Sequence, residues 1–197
     1  MSDITVRAVR PGDFAQWRAL YRGYADFYKV EQTEEAAATV WSWVNDPGHE
    51  VGALVAEDAG GRLLGLAHYR PFARPLSATV GCFLDDLFVA PEHRGSGAAD
   101  LLLGTLRELA AERGWSVVRW ITADDNHRAR AKYDQVATRT MWVTYDMPRP
   151  APDLPAPHDR VAWTGGATRA SAGQLAARYP PPARNRTAVV FDHGSAP

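Results

Sequence analysis

The stretch Leu84-Asp85-Asp86-Leu87-Phe88-Val89-Ala90-Pro91-Glu92-His93-Arg94-Gly95-Ser96-Gly97-Ala98-Ala99 carries an apolar strand through a glycine-bearing turn into a helix. Ala98, Ala99, Leu101, Leu102, Leu103 and Leu106 give that helix its apolar stripe. At such a helix start several backbone N–H groups lack partners and the macrodipole is positive, so an anion settles there. Glycines at 95 and 97 let a ligand approach the backbone closely, and Gly97 tolerates dihedrals that other residues resist. The turn therefore reads as a seat for a pyrophosphate, and a diphosphate-bearing molecule is its natural occupant.

Outward from this stretch, Ile4, Val6 and Ala8 alternate as a first strand, and Pro11-Gly12-Asp13 turns the chain into a helix marked by Phe14, Trp17, Leu20, Tyr21 and Tyr24. Thr33-Glu34-Glu35 caps a second helix that Asn45-Asp46-Pro47-Gly48 ends. Residues 52–57 and 62–72 are expected to pair as a hairpin around Asp58-Ala59-Gly60-Gly61, whose Asp and glycines suit the positive dihedrals of a tight loop. The central strand spans 80–90, and its helix stops near Arg113-Gly114. A buried strand over 116–122, a helix over 126–136 and a closing strand over 139–147 complete a mixed α/β sandwich.

Read as Arg94-x-x-Gly97-x-Ala99, the turn resembles the R/Q-x-x-G-x-G/A signature of the GCN5-related N-acetyltransferase (GNAT) superfamily. Asn126-x-x-Ala129-x-x-x-Tyr133 is similar to the family's N-x-x-A-x-x-x-Y element, at the distance downstream where the family places it. Residues 83–89 resemble the matching strand of diamine and polyamine acetyltransferases, and residues 133–140 the Hpa2-like branch. The resemblance covers roughly residues 4–147. It implies an α/β fold (α+β) with a largely antiparallel central sheet flanked by helices. It also implies acetyl-CoA as co-substrate, held by Leu87, Phe88, Val89, Arg94, Gly95, Ser96, Gly97, Ala98, Ala99 and Asn126, and a homodimer. A Rossmann dinucleotide site is the competing reading, but it needs G-x-G-x-x-G straight after a first strand. Here Asp100 stands three residues after Gly97, and the turn lies mid-chain.

Acetyl transfer from a thioester to an amine needs a neutral amine, a polarised carbonyl and a proton for the departing thiolate. A carboxylate takes the amine's proton, directly or through water. Strand alternation puts Asp85 and Asp86 on opposite faces, so one of them points into the cleft. The resemblance to polyamine enzymes assigns Asp85 as base and leaves Asp86 to position water or substrate. A backbone N–H near Phe88 and Val89 would hold the carbonyl. Tyr133, seven residues after Asn126 and so about two turns along the same helix face, is the candidate acid. Tyr24, Asp26 and Tyr28, with Tyr21, Phe27 and Glu31 beside them, fall where the family builds its acceptor cleft. Aromatics with acids suit an alkylammonium. His68 and Tyr69 on the preceding strand are candidates to border the same cleft, although a lone histidine there reads more often as structural, and His93 reads as a minor contact at the phosphate turn.

Composition narrows the alternatives. The chain has 197 residues and one cysteine, Cys82, which excludes an internal disulfide and a cysteine-based metal cluster. No metal site is expected. Cys82 sits in an apolar strand as a small hydrophobe, which favours direct transfer over an acetyl-cysteine intermediate. Six arginines and three aspartates after Met147 give that segment +3, which leaves −4 before it. A mildly acidic domain suits a cationic amine, and no concentrated basic patch points to nucleic acid. No apolar run of membrane-spanning length and no secretion signal is present, so a cytoplasmic location away from membranes is expected. Nine of fourteen prolines fall within residues 148–197, which read as a flexible tail with one short strand at Val189-Val190-Phe191; residues 1–147 form the catalytic domain. The expected activity is N-acetylation of a small primary amine. Protein or peptide acetylation and a non-catalytic acyl-CoA sensor stand as alternatives.

Overall fold

Alternating apolar residues set β1 (Ile4–Ala8), and Asp13 then fixes the entry to α1 (Phe14–Tyr28). Its carboxylate accepts the Arg10 N–H at 2.7 Å and is gripped by the two terminal guanidinium nitrogens of Arg7, at 2.6 and 3.0 Å. Lys29, in the left-handed region at φ 56°, ends the helix by donating its N–H to the carbonyls of Ala25 and Asp26. Thr33 caps α2 (Glu34–Asn45), its hydroxyl accepting the Ala36 N–H at 3.1 Å. The expected hairpin forms from β2 (Gly52–Asp58) and β3 (Leu63–Arg74). Its loop relies on Gly61 at φ 82° and on Asp58 Oδ1, which accepts the N–H groups of Gly60 and Arg62, each at 2.9 Å. Then follow β4 (Thr79–Val89), α3 (Ala98–Glu112), β5 (Val118–Arg119) and α4 (His127–Val136). This computed structural model describes residues 3–147; the tail expected over 148–197, with its strand at 189–191, lies outside the described residues.

The five strands stand in the order β1-β2-β3-β4-β5. The first three pairings are antiparallel and the last is parallel, which is not the parallel sheet of a Rossmann unit. One face carries Leu54, Ala56, Ala67, Tyr69, Cys82 and Leu84 against the α3 stripe of Ala98, Leu102, Leu103, Leu106 and Ala110. The opposite face buries Val55, Leu63, Leu66, Phe88 and Ala90 under Trp17 and Leu20 of α1. Burial of these two apolar layers is the main stabilising contribution to the fold.

Two strand expectations need correction. Only Val118–Arg119 of residues 116–122 is extended in the sheet, because β5 pairs β4 through just Cys82↔Val118 and Phe83↔Arg119 before the strands part. Residues 139–147 form no strand, and Met141, Trp142, Val143, Tyr145 and Met147 are exposed. Their β-branched and aromatic composition is a preference for a pleated, half-buried surface and does not by itself create a ladder.

Candidate active site

The site begins where β4 and β5 part. The Cys82 N–H donates to the Val117 carbonyl and the Ser116 N–H to the Val80 carbonyl, both at 2.8 Å, but β4 continues six residues past Phe83 to Val89 with no further β5 pairing. The Ala90 N–H donates to Leu64 of β3 at 3.0 Å, whereas the Val89 carbonyl accepts from Arg94 Nε at 3.3 Å and so faces away from β3. Backbone direction alternates along a strand, so the amides of Leu87 and Val89 turn toward the open side. A cleft of about 510 Å³ occupies this opening.

At the floor of the cleft the chain makes a short helical turn at Pro91–His93 and enters α3 through Arg94-Gly95-Ser96-Gly97. Gly95 and Gly97 stand at φ 87° and 92°, a region that L side chains rarely adopt. A Cβ built on either meets no atom within 4 Å, so backbone conformation, not crowding, demands glycine there. The result is an open cradle at a helix N-terminus, suited to a diphosphate. Arg94, Arg128 and Lys132 line the cleft and add positive charge, Arg94 lying over the Phe27 ring at 5.7 Å and Lys132 pairing Asp100 at 2.5 Å.

The far wall comes from α4. Asn126 caps the helix, its Oδ1 accepting the Ala129 N–H at 3.3 Å, and Tyr133 follows on the same face. Burial raises the Tyr133 phenol above its ordinary value, and the neighbouring Tyr28 adds to the shift, so the hydroxyl keeps its proton at neutral pH. Tyr133 packs edge-on against Trp120 with ring centres 5.1 Å apart.

The structure brings together Leu87, Phe88, Val89, Arg94, Gly95, Gly97, Ala98, Ala99, Asn126, Tyr133, Tyr24 and Tyr28 around this cleft. Ser96 does not line it; its hydroxyl turns back to accept the Ala98 N–H at 3.4 Å. Asp26 does not line it either. The i, i+4 spacing that aims Tyr24 and Tyr28 at the cleft points the residue midway between them to solvent, and Asp26 is exposed.

The largest correction concerns Asp85 and Asp86. His68 of β3 pairs with Asp86 while its neighbour Tyr69 pairs with Leu84, so Asp85 is the extra residue of a β-bulge. The insertion flips the alternation: Leu84 faces α3, yet Phe88 faces α1. Asp85, bonded to Arg70 Nε at 3.3 Å, and Asp86, bonded to His68, therefore both project to the α1 face. They border the aromatic cluster of Tyr21 and Tyr24 without lining the cleft itself. Burial raises the Asp85 carboxyl, and the Asp86 charge raises it further, with Arg70 opposing. The Tyr24 phenol is pushed up by burial and then by Asp86, and Tyr21 is pushed up to about 12 by burial and both acids.

His68, read from sequence as structural, is buried between Trp17 and Asp86. Trp17 Nε1–H donates to His68 Nε2 at 2.9 Å, and His68 Nδ1 lies 2.8 Å from Asp86 Oδ2. No sequence motif announces this contact; the only signal is a histidine directly after the apolar run Leu63–Ala67.

A sequence profile for the acetyltransferase (GNAT) family matches residues 17–137. The chain belongs to that family. The GNAT match spans the cradle, the opening where β4 and β5 part, and the Asn126–Tyr133 helix just described. Among curated relatives, D-amino-acid N-acetyltransferase HPA3 of Saccharomyces cerevisiae is 32% identical over 143 residues, covering 72% of this chain and 89% of its own length. A thialysine N-epsilon-acetyltransferase of Sus scrofa is 25% identical over 149 residues, covering 72% of this chain and 87% of its own. Among solved structures, AAC(6')-Iy in complex with the bisubstrate analogue CoA-S-monomethyl-acetylneamine shares the fold, with a TM-score of 0.66 at 17% identity over 75% of this chain and 99% of the other. The GNAT chain is thus an acyltransferase of mixed α/β fold. No helix among its described residues is long and apolar enough to cross a membrane.

Proposed function

We propose that the protein moves an acetyl group from acetyl-CoA to the primary amine of a small molecule (a polyamine, amino acid or related amine) by direct attack in a ternary complex. The observation that carries this reading is the open side of β4, with the glycine cradle at one end and the protonated Tyr133 hydroxyl on its wall. The cradle from Arg94 to Ala99 suits the diphosphate, with Arg94, Arg128 and Lys132 as counter-charges. The inward amides of Leu87 and Val89 suit the pantetheine arm and the thioester carbonyl. Relatives named for D-amino acids and thialysine support a small amine acceptor.

In this reading Asp85 accepts the proton of the acceptor ammonium, directly or through a water, and Asp86 with Tyr24 and Tyr28 binds the amine. The nitrogen attacks the carbonyl carbon, the C–S bond breaks as Tyr133 protonates the leaving thiolate, and the second proton lost by the newly bonded nitrogen restores the phenol. The raised carboxyl of Asp85 suits a base more than an ordinary exposed acid does. Cys82 is fully buried on the α3 side of the sheet with its thiol pushed up to about 11, which supports direct transfer over an acetyl-cysteine.

The test is free-thiol release with acetyl-CoA across a panel of D- and L-amino acids, polyamines and peptides, alongside calorimetry with acetyl-CoA alone. Turnover on small amines supports the proposal, and turnover on peptides only makes the protein a peptide acetyltransferase. Tight binding with no thiol release across the panel would make it an acyl-CoA sensor.

A further inference from the structure

We infer that Trp17 and His68 form a buried positioning relay that orients the carboxylate of Asp86 toward the acceptor amine; this rests on the acetyltransferase reading above. The indole N–H of Trp17 can only donate. It donates to His68 Nε2 at 2.9 Å, so Nε2 presents a lone pair and the imidazole proton sits on Nδ1. That proton lies on the line to Asp86 Oδ2, 2.8 Å away. The relay has one direction, Trp17 to His68 to Asp86, and crosses three elements: α1, β3 and β4.

Burial separates this from ordinary core satisfaction. Trp17 is 0% and His68 2% exposed, while the Asp86 side chain is 21% exposed, so the relay begins in the core and ends at a carboxylate that solvent or a ligand reaches. An aliphatic residue would fill position 68 without polar atoms to satisfy, as Leu66 does two residues earlier on the same face. The rings around His68 leave it little freedom: Trp17 lies 5.7 Å away, and Tyr21 meets it edge-on at 4.9 Å and 90°. With Oδ2 held from behind by a rigid donor, the plane of the Asp86 carboxylate is fixed beside Tyr21 and Tyr24. The carboxylate, which the Tyr24 phenol also approaches, presents its second oxygen to an alkylammonium that those rings also attract.

A relay that acts through Asp86 moves acceptor kinetics and leaves cofactor kinetics alone. In the full chain, His68→Met is expected to raise the KM for the amine at least tenfold while the KM for acetyl-CoA stays within about twofold. His68→Gln, whose amide can accept from Trp17 and donate to Asp86, is expected to recover most of that loss. In an Asp86→Asn background, His68→Met should have little further effect. Equal losses for both substrates, an unchanged amine KM, or a glutamine no better than methionine would overturn the inference. Nitrogen-15 NMR of the wild-type imidazole reads the relay without turnover, and an Nε2–H tautomer would sink it even if His68→Met fails to fold. Absence of wild-type turnover on every amine, with the Nδ1–H tautomer present, would sink the acetyltransferase reading and leave the relay geometry standing.

Discussion

Two clusters in this molecule set paired acids beside an arginine, and they obey opposite rules. At the start of the sheet Arg7 lies between Asp13 and Glu57, 2.6 and 2.7 Å away, making two hydrogen bonds to each. The Arg7 hydrogen bonds hold the Asp13 carboxyl below its ordinary range despite burial, and the same arginine lowers Glu57. At the β4 bulge, Asp85 and Asp86 share one face. Arg70 touches only Asp85, at 3.2 Å and with a side chain 36% exposed, and the Asp85 carboxyl is pushed up by burial and by its neighbour's charge. The first arrangement serves the fold, because one arginine makes two hydrogen bonds to each of its two acids. The second keeps like charges together at the fold's expense, as active sites do.

The largest effect expected from that contrast is on turnover. Asp85→Asn removes the proposed base with almost no change in volume, so kcat/KM for the amine should fall at least about 100-fold. The Tm at neutral pH should not fall. Activity within a few-fold of wild type would return Asp85 to the same structural class as Asp13.

The converse variant sharpens the comparison from the other side. Asp13→Asn breaks the charge-assisted grip of Arg7 at the entry to α1, and about 2 kcal/mol of stability should be lost. That corresponds to roughly 4 to 8 °C in Tm for a chain of this size. Steady-state constants of the remaining folded enzyme should match wild type. An amine KM that moved would show that the two clusters communicate.

The contrast also marks how far the sequence could be read. The glycine cradle and the Asn126–Tyr133 helix were legible because their requirements are local: positive φ at Gly97, a helix start after it, and two turns between cap and phenol. The bulge was not. Alternation counted along β4 puts Asp85 and Asp86 on opposite faces, and only the pairing with β3 shows one residue too many. The sole local hint was two consecutive acids in an apolar strand. The partners of His68 were hidden for the same reason, since they lie 51 residues before it and 18 after it. Asp26 fails in the opposite way: its acidic character beside aromatics suits the cleft, but the local helical period turns it to solvent.

The smallest effect is the most discriminating, because its sign differs between the clusters. Asp13 has a folded pKa below its unfolded value near 3.9, so its contribution to stability is present above that value and is lost as pH falls through the folded pKa. Asp85 has a folded pKa above its unfolded value, so the folded state binds the proton more tightly and stability is lost as pH rises from the unfolded value through the folded one. At pH 7 Asp13→Asn should therefore unfold at a lower temperature than wild type, and Asp85→Asn at a slightly higher one. The Asp85 difference should shrink as the pH falls toward about 4, and the Asp13 difference only as the pH falls further, because the folded Asp85 protonates above its unfolded value and the folded Asp13 below it. Thermal unfolding of the three proteins from pH 7 to pH 3 checks this. A destabilised Asp85→Asn at pH 7 would mean that the Arg70 contact outweighs desolvation and the Asp86 charge, and the bulge would then hold its acids on the same terms as the start of the sheet.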